Sequence, residues 1–296
     1  MLVRIVAVVS SSLATIFSSI LPLYFHYDLS AMSVTTVATV LFLGALIVHG
    51  FLTHSLNDLT DYYSGTDELS PGILSGGSRV LQTGNMSLQV LRHISTLTSI
   101  ILLLCIGGFL YFGQRELAIL TGVGLWGAIS YSARPFQLAY YPFAGEWFSL
   151  FPTMLFLGIA APWILLDGIP LWAWQNASVN ALFCMAWVMV HHIPDRLADR
   201  QAHPVKQTTV VWAEDTFGDK GTKLPCYLYF SFVALLLLWI SFTRPFGALG
   251  AGPLLLYSLL QVAKMDTEDV VSITTVEKRL LLLAFSTAIW LGIANF

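Results

Sequence analysis

Charge is scarce in this sequence. Only 10% of its 296 residues are Asp, Glu, Lys or Arg, while 56% are hydrophobic. The mean hydropathy is +0.73. A soluble domain of this length needs a far more charged surface, so a polytopic membrane protein is expected instead. Cysteine is scarce as well. Cys105 and Cys184 lie in apolar runs, and neither they nor Cys226 form a pair with metal-ligand spacing, which excludes a disulfide framework. No basic tract is present, so nucleic acid is excluded as a partner. The net charge of -3 says little about other partners. The apolar run after Arg4 is too long for a signal-peptide core and reads as a retained span.

What the chain does have is long apolar runs. A bilayer-spanning helix takes about 20 apolar residues. The pattern predicts spans at about 3–25, 33–56, 90–112, 116–133, 144–166, 172–193, 224–243, 246–264 and 278–295. The expected fold is all-α and integral to the lipid bilayer. About nine transmembrane helices surround a central cavity, with two Asp-rich cytoplasmic loops in one domain, residues 1–296. With nine spans, Arg4, Arg79, Arg92, Arg134, Arg196, Arg200, Lys206, Lys220, Lys223, Lys264, Lys278 and Arg279 fall on one side, and only Arg115 and Arg244 on the other. That asymmetry predicts a cytoplasmic N-terminus and cytoplasmic loops after spans 2, 4, 6 and 8.

Two of those loops, 57–89 and 194–223, are long and polar, and long ordered loops are usually functional. The first opens with Asn57, Asp58 and Asp61, followed by Asp67 and Glu68. Helical spacing puts Asn57, Asp58 and Asp61 on one face. Carboxylates crowded there repel each other and ask for a cation. All-oxygen ligands favour a hard ion such as Mg²⁺, shared with phosphate oxygens. The second cluster, His191-His192-Ile193-Pro194-Asp195-Arg196-Leu197-Ala198-Asp199-Arg200, ends span 6 as the first ends span 2. Pro194 suits the first turn of a new helix, which would bring Asp195 and Asp199 onto one face. Pro71, Gly72, Gly76, Gly77 and Gly84 let the first loop bring backbone N–H groups near an anion. Arg79, Arg196, Arg200 and Lys206 flank the clusters. Acids that hold Mg²⁺ beside bases that hold phosphate oxygens make a diphosphate site. Lys220 and Lys223 read as ordinary positive-inside anchors.

The motif Asn57-Asp58-x-x-Asp61-x-x-x-Gly65-x-Asp67 resembles the first aspartate-rich motif of the UbiA superfamily of intramembrane prenyltransferases, and Ile193-Pro194-Asp195-x-x-Ala198-Asp199 resembles the second. Gly76–Gly84, Tyr131–Pro135, Leu138-Ala139-Tyr140 and Gly145-Glu146 resemble the branch that prenylates 1,4-dihydroxy-2-naphthoate for menaquinone, an enzyme of the prokaryotic cell membrane. The resemblance implies an isoprenyl diphosphate as donor, an aromatic acceptor, and two Mg²⁺ ions. Asn57, Asp58 and Asp61 would hold one ion and Asp195 and Asp199 the other. Arg79, Arg134 and Lys206 would contact the diphosphate, and Asp67, Tyr131 and Arg200 would join the substrate site. The sequence departs from the family pattern at His191 and His192, and again at His203-Pro204-Val205-Lys206-Gln207-Thr208, where a shorter Gly-Lys-x-Thr is usual.

Such a site ionises the prenyl diphosphate and keeps the allylic cation from water while an aromatic ring attacks it. Trp126, Tyr131, Trp147, Phe148 and Trp187 are candidates to shield that cation with their ring faces. Either motif offers an aspartate as general base. His54, His191 and His192 raise an alternative imidazole–carboxylate site for Zn²⁺ or Fe²⁺, or a simpler role for His54 in orienting an aspartate. Three other functions compete. A cation-coupled transporter would carry its acids at midspan rather than at helix ends. A terpene cyclase of the same superfamily would ionise the donor with no acceptor. A phosphatidyl-transferring enzyme would need a tighter single Asp-rich motif.

Overall fold

The computed structural model describes residues 2–75 and 77–294, with side chains from Ser10 onward. Gly76 of the expected anion loop, the Arg4 side chain and Asn295 at the end of the expected ninth span lie outside the described residues. Among those described, the chain is all-helical. The long helices are Leu2–His26 (α1), Ala31–Ala45 (α2) running on through a π-helical segment Leu46–Thr53 into His54–Ser64 (α3), then Leu88–Tyr111 (α5), Arg115–Ser132 (α6), Phe151–Leu165 (α7), Leu171–His192 (α8), Leu224–Thr243 (α11), Pro245–Lys264 (α12) and Val270–Ile293 (α13). Short helices Thr66–Leu69 (α4), Arg196–Gln201 (α9) and Thr209–Phe217 (α10) fill the two long loops. Five segments, 31–64, 88–111, 146–165, 219–243 and 245–264, are long and apolar enough to cross a membrane.

Two boundaries differ from expectation, and both bear on the site. The second span does not stop near residue 56. The helix continues to Ser64 and ends only at Gly65, whose φ of +81° gives the left-handed C-cap. The π-helical segment Leu46–Thr53 lies within this helix, and Thr53 Oγ1 donates across it to Val48 O at 2.9 Å. Asn57, Asp58 and Asp61 therefore sit on the last turns of one long helix, not in a loop. The last helix begins at Val270, not near 278. Asp269 caps it by accepting from the N–H groups of Val271 and Ser272. Glu277 thus lies inside α13, where a charge-based boundary places it at the start.

Helix α8 is the hub of the bundle, packing against α1, α7, α11 and α13. Its polar residues are used internally: Asn176 Nδ2 donates to Ser18 O at 3.0 Å and to Leu291 O at 3.3 Å. Polar groups in a membrane interior need such partners. Small residues bring α7 close. A Cβ at Gly158 would lie 2.6 Å from Ala177 Cβ and 2.9 Å from its Cα. We expect Gly158→Ala to lower stability by about 1–3 kcal/mol through overpacking. Gly168→Ala, with nothing within 4 Å, should change it by no more than about 0.5 kcal/mol. Thermal unfolding in detergent reads both, and equal stability of the two variants would mean that α7 and α8 are not so tightly apposed.

Candidate active site

One cavity of about 160 Å³ collects most of the expected residues. Asn57 and Asp61 reach it from α3, Tyr131 from α6, Trp187, His191 and His192 from α8, and Asp67, Asp195 and Lys206 from the two long loops. Val48, Leu74, Leu150, Met154 and Val188 supply apolar wall.

The two aspartate motifs meet here through Lys206. Its ammonium group is buried, 3.3 Å from Asp61 Oδ1 and 3.6 Å from Asp199 Oδ1. Asn57 Nδ2 donates to Asp61 Oδ2 at 2.6 Å, and Asn57 Oδ1 accepts from Ser132 Oγ at 3.0 Å. Burial disfavours the charged form of Lys206, but Asp61 and Asp199 outweigh it and hold the ammonium well above its ordinary pKa. Burial dominates at Asp199, whose carboxyl is pushed up to about 7 against the pull of Lys206. The two carboxylates account for the direction at Lys206, and burial for the direction at Asp199.

The glycine-containing loop closes over the first motif. Ser78 donates to Asp58 twice, from its backbone N–H at 3.2 Å and from its hydroxyl. Gly77 is at φ +48°, and a side chain there would collide with the Asp67 carboxylate, 2.2 Å from an added Cβ. Asp67 also accepts from Gln82 Nε2 at 3.4 Å. Ser70 Oγ donates to Asp195 and so ties this loop to the second motif.

Five expected site residues lie off the cavity wall. Asp58 faces Ser78, and Asp199 sits behind Lys206. Arg79 is exposed, and its Nη2 donates to Ser70 O at 2.7 Å. Arg134 is exposed in the connection after α6. Arg200 is committed to Glu214 Oε2 at 2.6 Å and Asp215 Oδ1 at 2.7 Å. Burial alone would raise the Glu214 carboxyl, but hydrogen bonds from Arg200 and Arg196 bring it below its ordinary value. Lys206 therefore remains as the expected cation that lines the cavity. Of the expected aromatic shields, Tyr131 and Trp187 line it. Trp126 meets Phe136 edge-on, Trp147 lies tilted against Phe151 and Tyr229, and Phe148 is 63% exposed.

Among the described residues, no three His, Cys, Asp or Glu groups form a ready metal cluster. Each carboxylate near the cavity is instead matched to a local donor: Asp58 to Ser78, Asp61 to Asn57 and Lys206, Asp195 to Ser70. The donor set itself is carboxylate and amide oxygen, which suits a hard divalent cation. Asp199 Oδ1 is buried and answered only at 3.6 Å, by the Lys206 ammonium, among the described residues, which leaves it an acceptor fit for such an ion. The imidazoles of His191 and His192 line the cavity with partners of their own. His191 Nδ1 meets Glu277 Oε1 at 2.8 Å, and His192 Nε2 meets the Tyr131 hydroxyl at 3.1 Å. That arrangement disfavours the imidazole–carboxylate alternative. His54 lines the cavity and stacks on His49, which the sequence reading did not single out. Glu277 was also missed. An ionisable residue in an apolar run is a functional signal in its own right, and treating it as a helix boundary hid that signal.

Two solved structures of a UbiA homolog from Archaeoglobus fulgidus share this fold. One, bound to DMAPP and Mg²⁺, superposes with a TM-score of 0.62 at 14% identity, over 97% of this chain and 98% of that one. The other, bound to GPP and Mg²⁺, gives 0.56 at 14% identity, over 96% and 99%. Among curated proteins, no sequence matches the chain significantly. The model of the UbiA prenyltransferase family matches residues 12–283. With its apolar helices, this integral membrane protein belongs to the UbiA prenyltransferase family.

Proposed function

We propose that the protein transfers an isoprenyl group from its diphosphate to 1,4-dihydroxy-2-naphthoate, or a close bicyclic aromatic acid, in menaquinone biosynthesis. The acceptor carbon attacked is the one that loses its carboxylate. The observation that carries this reading is a single cavity in which Asp61, Asp195 and Lys206 share the wall with apolar residues, Tyr131 and Trp187. The ligands named for the Archaeoglobus fulgidus structures, DMAPP or GPP with Mg²⁺, are of the same class.

Asn57, Asp58 and Asp61 would hold one Mg²⁺ and Asp195 and Asp199 a second. Bound there, the ions supply neutralisation of the leaving diphosphate. Lys206 adds a cation in a poorly hydrated wall, where it acts more strongly than in water. Val48, Leu150, Met154 and Val188 keep water from the allylic cation. The ring faces of Tyr131 and Trp187 stabilise it. Gly77 and Ser78, seated on Asp67 and Asp58, belong to the segment whose residues resemble the menaquinone branch. An acceptor carboxylate entering this wall needs a cationic partner, since an unpaired buried charge is strongly disfavoured. Arg79 and Arg134, both exposed, are the candidates for that role, since Lys206 is held by Asp61 and Asp199. Competition between the bicyclic acid and a monocyclic hydroxybenzoate tests the acceptor. Preference for the monocyclic ring would reject the naphthoate assignment and leave prenyl transfer standing.

The active-site loops face the cytoplasm in this reading, as the Lys/Arg asymmetry requires. Asp28 and Gln201 are both exposed and lie at opposite ends of the bundle. Membrane-impermeant thiol labelling of intact cells should modify Asp28→Cys and spare Gln201→Cys. The reverse pattern would invert the topology.

A further inference from the structure

We infer that His191, backed by Glu277, is the general base that takes the acceptor's hydroxyl proton as its ring attacks the prenyl cation. The inference rests on the aromatic acceptor proposed above and assigns the proton's destination, which the aspartate motifs leave open.

Glu277 is fully buried on α13 and reaches across to α8. Its Oε1 lies 2.8 Å from His191 Nδ1, and its Oε2 has no hydrogen-bond partner among the described residues. The backbone oxygen of Glu277 accepts from Trp187 Nε1 at 3.0 Å, and the Trp187 ring stacks on His191 at 4.7 Å and 23°. The imidazole is thus held by a carboxylate at one nitrogen and by an indole on its face. Both His191 and Trp187 line the cavity, and the His191 side chain is 20% exposed. Donation of Nδ1–H to Glu277 fixes the tautomer and leaves the Nε2 lone pair as the base. The same carboxylate balances the imidazolium that forms when the proton arrives, as the acid of a catalytic triad does.

The other candidates are committed. Asp61 and Asp199 are paired with Lys206, Asp67 accepts from Gln82, and Asp58 and Asp195 each accept from a serine. His192 Nε2 meets the Tyr131 hydroxyl, and its Nδ1 has no hydrogen-bond partner among the described residues. The remaining charged or titratable groups around the pair are His192 beside His191 on α8, Asp195 at the start of α9 and Lys278 on α13.

The step balances. The C–O bond to the diphosphate breaks, and its electron pair leaves with the diphosphate. The hydroxyl proton moves to His191 Nε2, the oxygen becomes a ring carbonyl, and the adjacent ring carbon forms the new C–C bond. That carbon then carries a carboxylate β to a carbonyl. Loss of CO₂ returns its bonding pair to the ring, and the oxygen recovers its proton from His191.

The test compares two acceptors with geranyl diphosphate and Mg²⁺ on the full chain. One is a naphthol whose hydroxyl is neutral at the assay pH, the other a nitro-substituted naphthol already ionised. General bases contribute about 10²–10⁴ in rate, so His191→Gln should lower transfer to the neutral acceptor about 100-fold and to the ionised one less than about threefold. Glu277 is a positioning residue, and Glu277→Gln should lose about tenfold with the same split between acceptors. It carries the test if His191→Gln fails to fold. KM for geranyl diphosphate should not move in either. Equal losses for both acceptors, or no loss, would overturn the inference while leaving prenyl transfer intact. If the unaltered protein prenylates no hydroxyaromatic at all, the function and the inference fall together.

Discussion

Asp61→Asn and Asp195→Asn should each lower turnover at least about a hundredfold with the fold retained, because removing one charge-stabilising group from such a site costs about 10²–10³ in rate. The two residues come from different motifs and from α3 and the start of α9, yet both line one cavity. The amide is nearly the same size as the carboxylate. Asn at 195 still offers an oxygen to Ser70, and Asn at 61 still offers one to Asn57. What each variant loses is charge. Turnover with saturating donor and acceptor, beside thermal unfolding of the same preparations, reads the result. Activity within tenfold of the unaltered protein in both variants would remove the aspartates from the diphosphate site. Chelation by EDTA should abolish activity of the unaltered protein to the same extent.

Lys206→Met should lose both activity and stability. The ammonium sits between Asp61 and Asp199, and nothing else cationic lines the cavity among the described residues. Its removal leaves two buried acidic groups without the cation they share. Breaking a buried ion pair by removing one partner typically costs about 3–5 kcal/mol. Turnover should fall about a hundredfold as well, since a cation beside the leaving group is lost. A second substitution separates the two effects. In Lys206→Met with Asp199→Asn, one of the stranded charges is gone, so much of the stability returns while activity stays low. Neighbouring groups that share a partner show such non-additivity. Additive losses in the double variant would mean that Lys206 and Asp199 do not interact as described.

Much of this was legible in the sequence because membrane helices announce themselves by composition. The expected spans coincide closely with the long helices wherever apolar runs end in loops, as at 224–243 against Leu224–Thr243. The pairing of Asn57 with Asp61 follows from helical spacing, and their 2.6 Å hydrogen bond realises it. Less visible was everything decided by a partner far along the chain. Arg200 resembles a phosphate ligand until α10 brings Glu214 and Asp215 to it. Arg79 is taken up by a backbone carbonyl of its own loop. Glu277, beside Lys278 and Arg279, looks like a helix boundary, yet α13 begins eight residues before 278 and Glu277 is buried inside it against His191. Charge marks a helix end only when no buried group answers it. The π-helical segment at Leu46–Thr53 has no composition of its own that separates it from an α-helix.

The account stands or falls on whether one cavity joins donor ionisation to aromatic transfer. The most direct measurement incubates the purified protein in detergent with Mg²⁺ and a panel of prenyl diphosphates, with and without aromatic acceptors, and reads products by mass spectrometry. A prenylated aromatic, formed with equimolar diphosphate and absent without Mg²⁺, is the expected result. Equal consumption of prenyl diphosphate without any aromatic, releasing a hydrocarbon or an alcohol, would contradict it and point to a cyclase. No consumption at all would place the function outside prenyl diphosphate chemistry.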